Sequence, residues 1–253
     1  MRTLKEKLNK RENILGTWVI SPSVHSLNAI CSSGIDFVIL DQEHGSISAN
    51  NLLPLINTVR ANNCNALVRP ASINKYAIQQ ALDNGADGIQ VPNVENERDA
   101  RRVVEYSKYP PVGTRGYSPF VPSSNYTNNG SKWNIEMNNK LVTGINVEGE
   151  EGISNIDLIM KIKELDVIFV GLFDLSKALG IAGDVENILV TEKLKEVIQT
   201  GNQYGKSIGT IATSVEHMQF LIQIGVNFIV YMVDMNVLHS SYETIYNRFK
   251  EMC

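Results

Sequence analysis

Eight short apolar runs, at residues 14–20, 36–41, 65–69, 87–92, 141–147, 166–171, 207–212 and 226–231, recur along the chain. Segments such as DVIFVG and FIVYMV are apolar at consecutive rather than alternate positions. A strand of that kind must be covered on both faces, as in a parallel sheet flanked by helices. Helical periodicity fits 51–61, 73–83, 95–107, 154–163, 190–203 and 214–223, with Ser48, Ser72, Asn93, Ser154 and Ser214 as candidate N-caps. Eight strands alternating with helices and no break in composition predict a single α/β domain over residues 1–253, closed as a (β/α)8 TIM barrel. No GxGxxG follows the first run, which leaves a dinucleotide-binding fold without its signature. The even rhythm is interrupted at about 108–134, a stretch rich in Pro, Gly, Ser and Asn. An excursion of that length inside a compact domain predicts a functional loop or lid.

With 23 basic and 27 acidic residues the chain carries no positive field for a phosphate backbone, so nucleic acid is excluded as a partner and a small-molecule substrate is expected. The opening MRTLKEKLNKRE is strongly charged and only a short apolar stretch follows. That pattern predicts neither a signal peptide nor a membrane span, and so a cytoplasmic protein. Cys31, Cys64 and Cys253 are odd in number and lack metal-finger spacing, which predicts free thiols.

In a (β/α)8 barrel the reactive groups hang from the C-terminal ends of the strands. Asp41, Glu43 and His44 follow the second run, Arg69 ends the third, Glu148 ends the fifth and Asp174 follows the sixth. Glu148 and Asp174 are carboxylates at neighbouring strand ends, an all-oxygen donor pair suited to magnesium or manganese. The plainer alternative makes Asp174 a helix cap and Glu148 a solvated loop residue. Arg69, just before a proline, offers a planar fork to a carboxylate or a developing enolate oxygen; its alternative is a salt bridge to a rim carboxylate. His44 is the one histidine at a strand end, since His25, His217 and His239 fall in helical stretches. Asp41, three residues earlier, is expected to orient His44 and make it a general base. The amides of Gly171, Leu172 and Phe173, where a short helix begins, can receive an anionic group.

These residues sit in blocks that resemble a known family. GTWV at 16–19, DFVILDQEHG at 36–45, LVRP at 67–70, ALDNGADGIQVP at 81–92, YPPVGTRGYSP at 109–119, NVEGEEGISNID at 146–157 and VGLFDLSKALG at 170–180 are similar, in order, to the metal-dependent class II pyruvate aldolases of the HpcH/HpaI family. The resemblance spans nearly the whole chain. It implies a (β/α)8 barrel assembling into homo-oligomers, commonly hexamers, often by exchange of the C-terminal helix. It also implies cleavage of a 4-hydroxy-2-oxo acid to pyruvate and an aldehyde through an enolate stabilised by a divalent cation, Mg2+, Mn2+ or Co2+.

Carried over residue by residue, the resemblance makes Glu148 and Asp174 the metal ligands, His44 and Asp41 the base and its orienting carboxylate, and Arg69 the enolate-stabilising arginine. It makes Gly171, Leu172 and Phe173 the pyruvate-binding amides, and Asp83 a residue offered to a neighbouring subunit's site. Three positions depart from the family pattern. Asn146 replaces a glutamine in the pyruvate site and is one methylene shorter, so it is less able to reach Arg69. Leu172 stands where proline is frequent, and Pro122 falls near the position where the family carries an arginine that meets the aldehyde, in a segment, FVPSSNY, that has no arginine. The alternatives are a metal-dependent decarboxylase or lyase acting on another 2-oxo acid such as oxaloacetate, and a catalytically silent barrel.

Overall fold

Each apolar run forms a strand because helices cover one face and the barrel interior the other. In the computed structural model, which describes residues 3–253, the strands are β1 Ile14–Val19, β2 Phe37–Asp41, β3 Asn65–Arg69, β4 Gly88–Val91, β5 Val142–Val147, β6 Val167–Val170, β7 Ser207–Ala212 and β8 Phe228–Val233. Every strand pairs in parallel with the next, and β8 pairs with β1 to close the barrel. Along β2, Phe37 and Ile39 belong to the interior cluster, whereas Val38 and Leu40 pack outward beneath the helices. This explains the consecutive apolar pattern: neither side of the strand meets water.

The interior is filled by aromatic rings lodged against glycines. A Cβ on Gly16 would lie 2.4 Å from the Phe37 ring, and one on Gly209 would lie 2.7 Å from Phe228 and 3.0 Å from Phe169. Phe37 and Phe228 stack with their centroids 4.3 Å apart.

The helices are α1 Leu4–Asn9, α2 Val24–Ser32, α3 Ala49–Ala61, α4 Lys75–Asp83, α5 Glu97–Ser107, α6 Ser131–Lys140, α7 Glu150–Ser154, α8 Ile156–Met160, α9 Leu172–Ala178, α10 Ile188–Tyr204, α11 Val215–Ile224 and α12 Asp234–Glu251. Ser48 and Ser214 occupy N-cap positions as expected. Three caps differ from expectation. Asn74, not Ser72, caps α4, its Oδ1 accepting from the amides of Tyr76 and Ala77. Asn96, not Asn93, caps α5 by accepting from Asp99. Ser154 spends its hydroxyl on the Glu150 carbonyl, and Asn155 stands before α8, so the expected 154–163 helix is two short ones. Among the described residues no helix is long and apolar enough to cross a membrane. The three cysteines are free, Cys31 and Cys64 buried and Cys253 exposed.

A fourfold device ties the N-terminal end of the barrel. Asp36, Asp87, Asp166 and Asn227 each stand one residue before an even-numbered strand, and each accepts a hydrogen bond from a backbone amide of the preceding odd-numbered strand. The donors are Leu15 at 2.9 Å, Ala66 at 2.8 Å, Thr143 at 2.8 Å and Ile208 at 3.1 Å. The charged N-terminal segment plugs this end. Leu4 and Leu8 enter the interior cluster, while Lys5 pairs with Asp166 and Lys7 with Asp36.

Beside the plug, Lys108 is buried and donates to the carbonyls of Asn138 and Leu141, both at 3.0 Å. Burial, with the nearby Lys5 charge, lowers its pKa to about 8. The folded state therefore holds this proton less tightly than the unfolded chain. The destabilisation is present at neutral pH and is relieved as pH rises from about 8 through the ordinary lysine range, by up to about 3 kcal/mol. Urea midpoints of wild type relative to Lys108→Met are accordingly expected to climb between pH values of about 8 and 10; parallel profiles would show that Lys108 does not titrate there.

Helix α12 is different from the others. Val237, Leu238, Tyr242, Ile245, Tyr246 and Phe249 are all exposed along it. Near its start an apolar groove of about 370 Å³ opens on the barrel wall, lined by residues including Leu15, Ile30, Ile35 and Met218.

Candidate active site

The C-terminal ends of the strands surround a cavity of about 350 Å³. Asp41, His44, Arg69, Asn146, Glu148 and Asp174 line it, together with Gly171, Leu172 and Phe173. Trp18, Ile20, Phe169, Ile211 and Val233 supply apolar wall. Every residue expected to act in catalysis, substrate binding or metal binding, except Asp83, therefore lines one space; Glu43 stands outside its lining.

Asp41 and Arg69 are register partners at the ends of β2 and β3. The guanidinium donates from Nε to Asp41 Oδ1 at 2.8 Å and from Nη2 to Oδ2 at 2.6 Å, a bidentate pair that is almost wholly buried. Its Nη1 lies 3.2 Å from Glu43 Oε2, and its plane covers the Trp18 ring at 4.0 Å. Asp41 Oδ1 also accepts from the backbone amides of Glu43 at 2.9 Å and His44 at 3.3 Å.

The expectation that Asp41 orients the imidazole is corrected here. Asp41 shapes the turn that carries His44, and its carboxylate is spent on Arg69 and two amides, because a buried guanidinium is the stronger claimant. The carboxylate nearest the imidazole is Glu43, whose Oε2 lies 3.8 Å from His44 Nε2. The ring itself is exposed at the rim. Arg69 thus combines the two readings offered for it: it is in a salt bridge and it also lines the cavity.

Glu148 and Asp174 come from adjacent segments, one residue past β5 and in the first turn of α9. Burial raises the Glu148 pKa above the usual carboxylate range. Glu43 and Asp174 push it the same way, while the Asn146 hydrogen bond and Arg69 oppose them. Glu43 Oε2 is buried without a hydrogen-bond partner. Glu148 and Asp174 thus share one cavity whose arginine is already paired with Asp41 and Glu43, an arrangement that a further positive charge would balance. Among the described residues no group of three or more His, Cys, Asp or Glu side chains is placed to hold a metal ion. Glu148 and Asp174 would supply two oxygen ligands and leave the other positions to water and substrate, as a magnesium-type ion accepts.

The three amides divide. The Gly171 N–H is bonded to the Val147 carbonyl at 3.0 Å as part of the sheet, so it is not free for a ligand and this expectation is corrected. What Gly171 provides is space, since a Cβ there would lie 2.9 Å from Glu148 Cγ. Leu172 and Phe173 open α9, where first-turn amides have no intrahelical acceptor.

Asp83 is the last residue of α4, which descends from the rim, so it lies at the opposite end of the barrel. There it pairs with Arg115 at 2.7 Å. The 108–134 stretch follows the descending α5 and lies at that end too, with Ser123 lining a cleft beside Leu4 and Lys5 of the plug. It is not a lid over this chain's own site. It contains a 3₁₀ turn at Pro122–Ser124 and an aromatic trio of Tyr109, Tyr117 and Trp133.

Besides the aliphatic wall and Phe169, Trp18 and Gln90 were not anticipated. Trp18 could have been found as a large aromatic near the end of a strand, the position that faces the mouth. Gln90 is a lone amide in the otherwise apolar GIQV, and it donates to Asn146 Oδ1 at 2.7 Å. Asn146 in turn donates to Glu148 Oε1 at 2.9 Å and not to Arg69.

The arrangement can be compared with known proteins. The HpcH/HpaI aldolase/citrate lyase family profile matches residues 15–240. Among curated proteins, 2-keto-3-deoxy-L-rhamnonate aldolase of Klebsiella pneumoniae subsp. pneumoniae is 29% identical over 230 residues, covering 91% of this chain and 86% of that protein. Among solved structures, an HpcH/HpaI aldolase from Desulfitobacterium hafniense DCB-2 superposes with a TM-score of 0.93 at 24% identity, covering 99% of this chain and 98% of that one. The citrate synthase SbnG superposes with a TM-score of 0.89 at 26% identity, covering 99% and 98%. A closed parallel barrel, the carboxylates gathered at its mouth and a family match from β1 into α12 agree: the chain belongs to the HpcH/HpaI aldolase/citrate lyase family.

Proposed function

We propose that this chain is a class II pyruvate aldolase that reversibly cleaves a 4-hydroxy-2-oxo acid to pyruvate and an aldehyde. The observation that carries the reading is the convergence of Glu148 and Asp174 on one cavity with Arg69 held beside them. A divalent cation such as Mg2+, Mn2+ or Co2+ bound there would supply Lewis-acid stabilisation of the negative charge that develops on the 2-oxo group.

The chain's own groups do the rest. His44, free at the rim, takes the proton from the 4-hydroxyl as the C3–C4 bond breaks, releasing the aldehyde and leaving the electron pair on the pyruvate half as an enolate. Arg69, locked by Asp41 and backed by Trp18, brings fixed positive charge to that enolate without reorganisation, an effect worth roughly 3 kcal/mol per donor in other enzymes. The Leu172 and Phe173 amides receive the substrate carboxylate. Protonated His44 then gives its proton to C3 of the enolate, which completes pyruvate and restores the base.

Among the described residues lining the cavity, Arg69 is the only Arg or Lys, and it is already paired. The aldehyde half is therefore proposed to be neutral, against the apolar wall of Ile20, Ile211 and Val233. The rhamnonate aldolase relatives are named for a 2-keto-3-deoxy sugar acid, which is of this substrate class. The apolar face of α12 and the groove beside it support a homo-oligomer, in which Asp83 reaches a neighbouring copy's site from the far end of its own barrel.

The test is deuterium exchange into the pyruvate methyl group with purified protein and Mg2+, Mn2+ or Co2+, against a chelator control. Metal-dependent exchange is expected in wild type, with a loss of about 100-fold or more in His44→Ala while pyruvate still binds. Absence of exchange in protein shown to bind the metal would overturn the enolate mechanism.

A further inference from the structure

Gln90 sits inside the barrel below the candidate site, with no exposure to solvent. Its partner in the β4–β5 register is Gly144, and a Cβ on Gly144 would lie 2.1 Å from Gln90 Oε1, so the amide occupies a slot that only glycine leaves open. Gln90 Nε2 donates to Asn146 Oδ1, and Asn146 Nδ2 donates to Glu148 Oε1. The direction of this chain is set by its last member. An ionised carboxylate only accepts, so Asn146 must present its NH2 to Glu148 and its oxygen to Gln90, and Gln90 must therefore donate. Turning either amide over would set two acceptors face to face. The arrangement leaves Gln90 Oε1 buried without a hydrogen-bond partner, which an apolar side chain at this position would avoid. Packing alone gives no reason for an amide here; the relay does.

We propose that Gln90 is a positioning residue for the cation site: it locks the Asn146 amide in the orientation that donates to Glu148 Oε1, and so holds the Glu148 carboxylate toward the cavity. The proposal rests on the aldolase reading only in taking Glu148 as a ligand for a divalent cation. The Asn146 amide is spent on Gln90 and Glu148 rather than on Arg69.

The test is Mn2+ binding to the purified full-length protein without substrate, read by the electron paramagnetic resonance of free Mn2+. Gln90→Met keeps side-chain length and removes the donor; it trades one unpartnered buried oxygen, Gln90 Oε1, for another, Asn146 Oδ1, so folding comparable to wild type is expected by circular dichroism. Its Mn2+ dissociation constant is expected to rise about 10-fold, at the lower end of what loss of a hydrogen bond behind a metal ligand produces. In an Asn146→Ala background the same change should add less than about two-fold, because its route to Glu148 is already cut.

Undiminished Mn2+ binding in folded Gln90→Met, or an equal effect in both backgrounds, overturns the proposal. If Glu148→Gln removes Mn2+ binding while Gln90→Met leaves it intact, the relay alone fails. If wild type binds no Mn2+, the metal reading fails and takes the relay with it.

Discussion

Glu148→Gln is expected to abolish cation-dependent exchange, by about 1,000-fold or more, while making the metal-free protein more stable than wild type. The two effects share a cause. Burial and the neighbouring Glu43 and Asp174 raise the Glu148 pKa, so its ionised form at neutral pH is disfavoured in the folded state. For an acid raised in this way, stability is lost as pH climbs through the unfolded value, and a deficit persists at neutral pH. A neutral amide of the same shape removes the deficit and also removes the ligand charge. Thermal melts should therefore cross over: without metal the variant melts higher, and with Mg2+ or Mn2+ wild type gains stability that the variant does not. A variant that melts lower in both conditions would make Glu148 a structural carboxylate. The same variant tests the sharing of sites between copies. Mixed and reassembled with Asp83→Ala subunits, it should regain about a quarter of wild-type exchange, as random pairing restores one site in four; no recovery in verified mixed oligomers would remove Asp83 from the mechanism.

The strands were legible because burial on both faces leaves a plain mark, runs such as FVIL and VIFV, and all eight lie within two residues of their expected bounds. The fourfold device was legible in principle, since IDFV, ADGI, LDVI and VNFI each set Asp or Asn before an apolar run. Its meaning depends on which backbone amide lies alongside, and that is a property of closure. Caps shifted for a local reason: Asn74 and Asn96 compete with nearby Ser72 and Asn93 on geometry that composition does not reveal.

At the site, residue types placed at strand ends were sufficient to gather Asp41, His44, Arg69, Glu148 and Asp174 at one mouth. Pairing among them was not sufficient information. Asp41 lies three positions from His44 along the chain, yet its closest claimant is Arg69, 28 residues away on the adjoining strand. Gly171 looked like an anion-binding amide, but its N–H belongs to the sheet. The 108–134 stretch showed its length and composition but not its end of the barrel, which follows from the direction of α5.

Asp41→Asn decides between the two roles for that carboxylate. The substitution keeps the size and one acceptor but strips the charge from a buried pair, leaving Arg69 one neutral acceptor and, as its charged partner, the looser contact to Glu43. Removing one partner of a buried ion pair typically costs about 3–5 kcal/mol, which in a chain of this size is a fall of about 10 °C in melting temperature. Because Arg69 is then no longer held in its fork, exchange should fall by about 100-fold. The Arg69→Met background carries the discrimination. If Asp41 acts through Arg69, Asp41→Asn costs exchange nothing further there, because no guanidinium is left to hold. If it acts on the imidazole, its loss persists in full. A double variant, Asp41→Asn with Arg69→Met, should be less destabilised than Asp41→Asn alone, because no unpaired guanidinium remains buried. A loss of exchange that persists in the Arg69→Met background, together with additive destabilisation, would return Asp41 to the histidine; no further loss and a partial rescue would leave it as the clamp that sets Arg69 against the substrate.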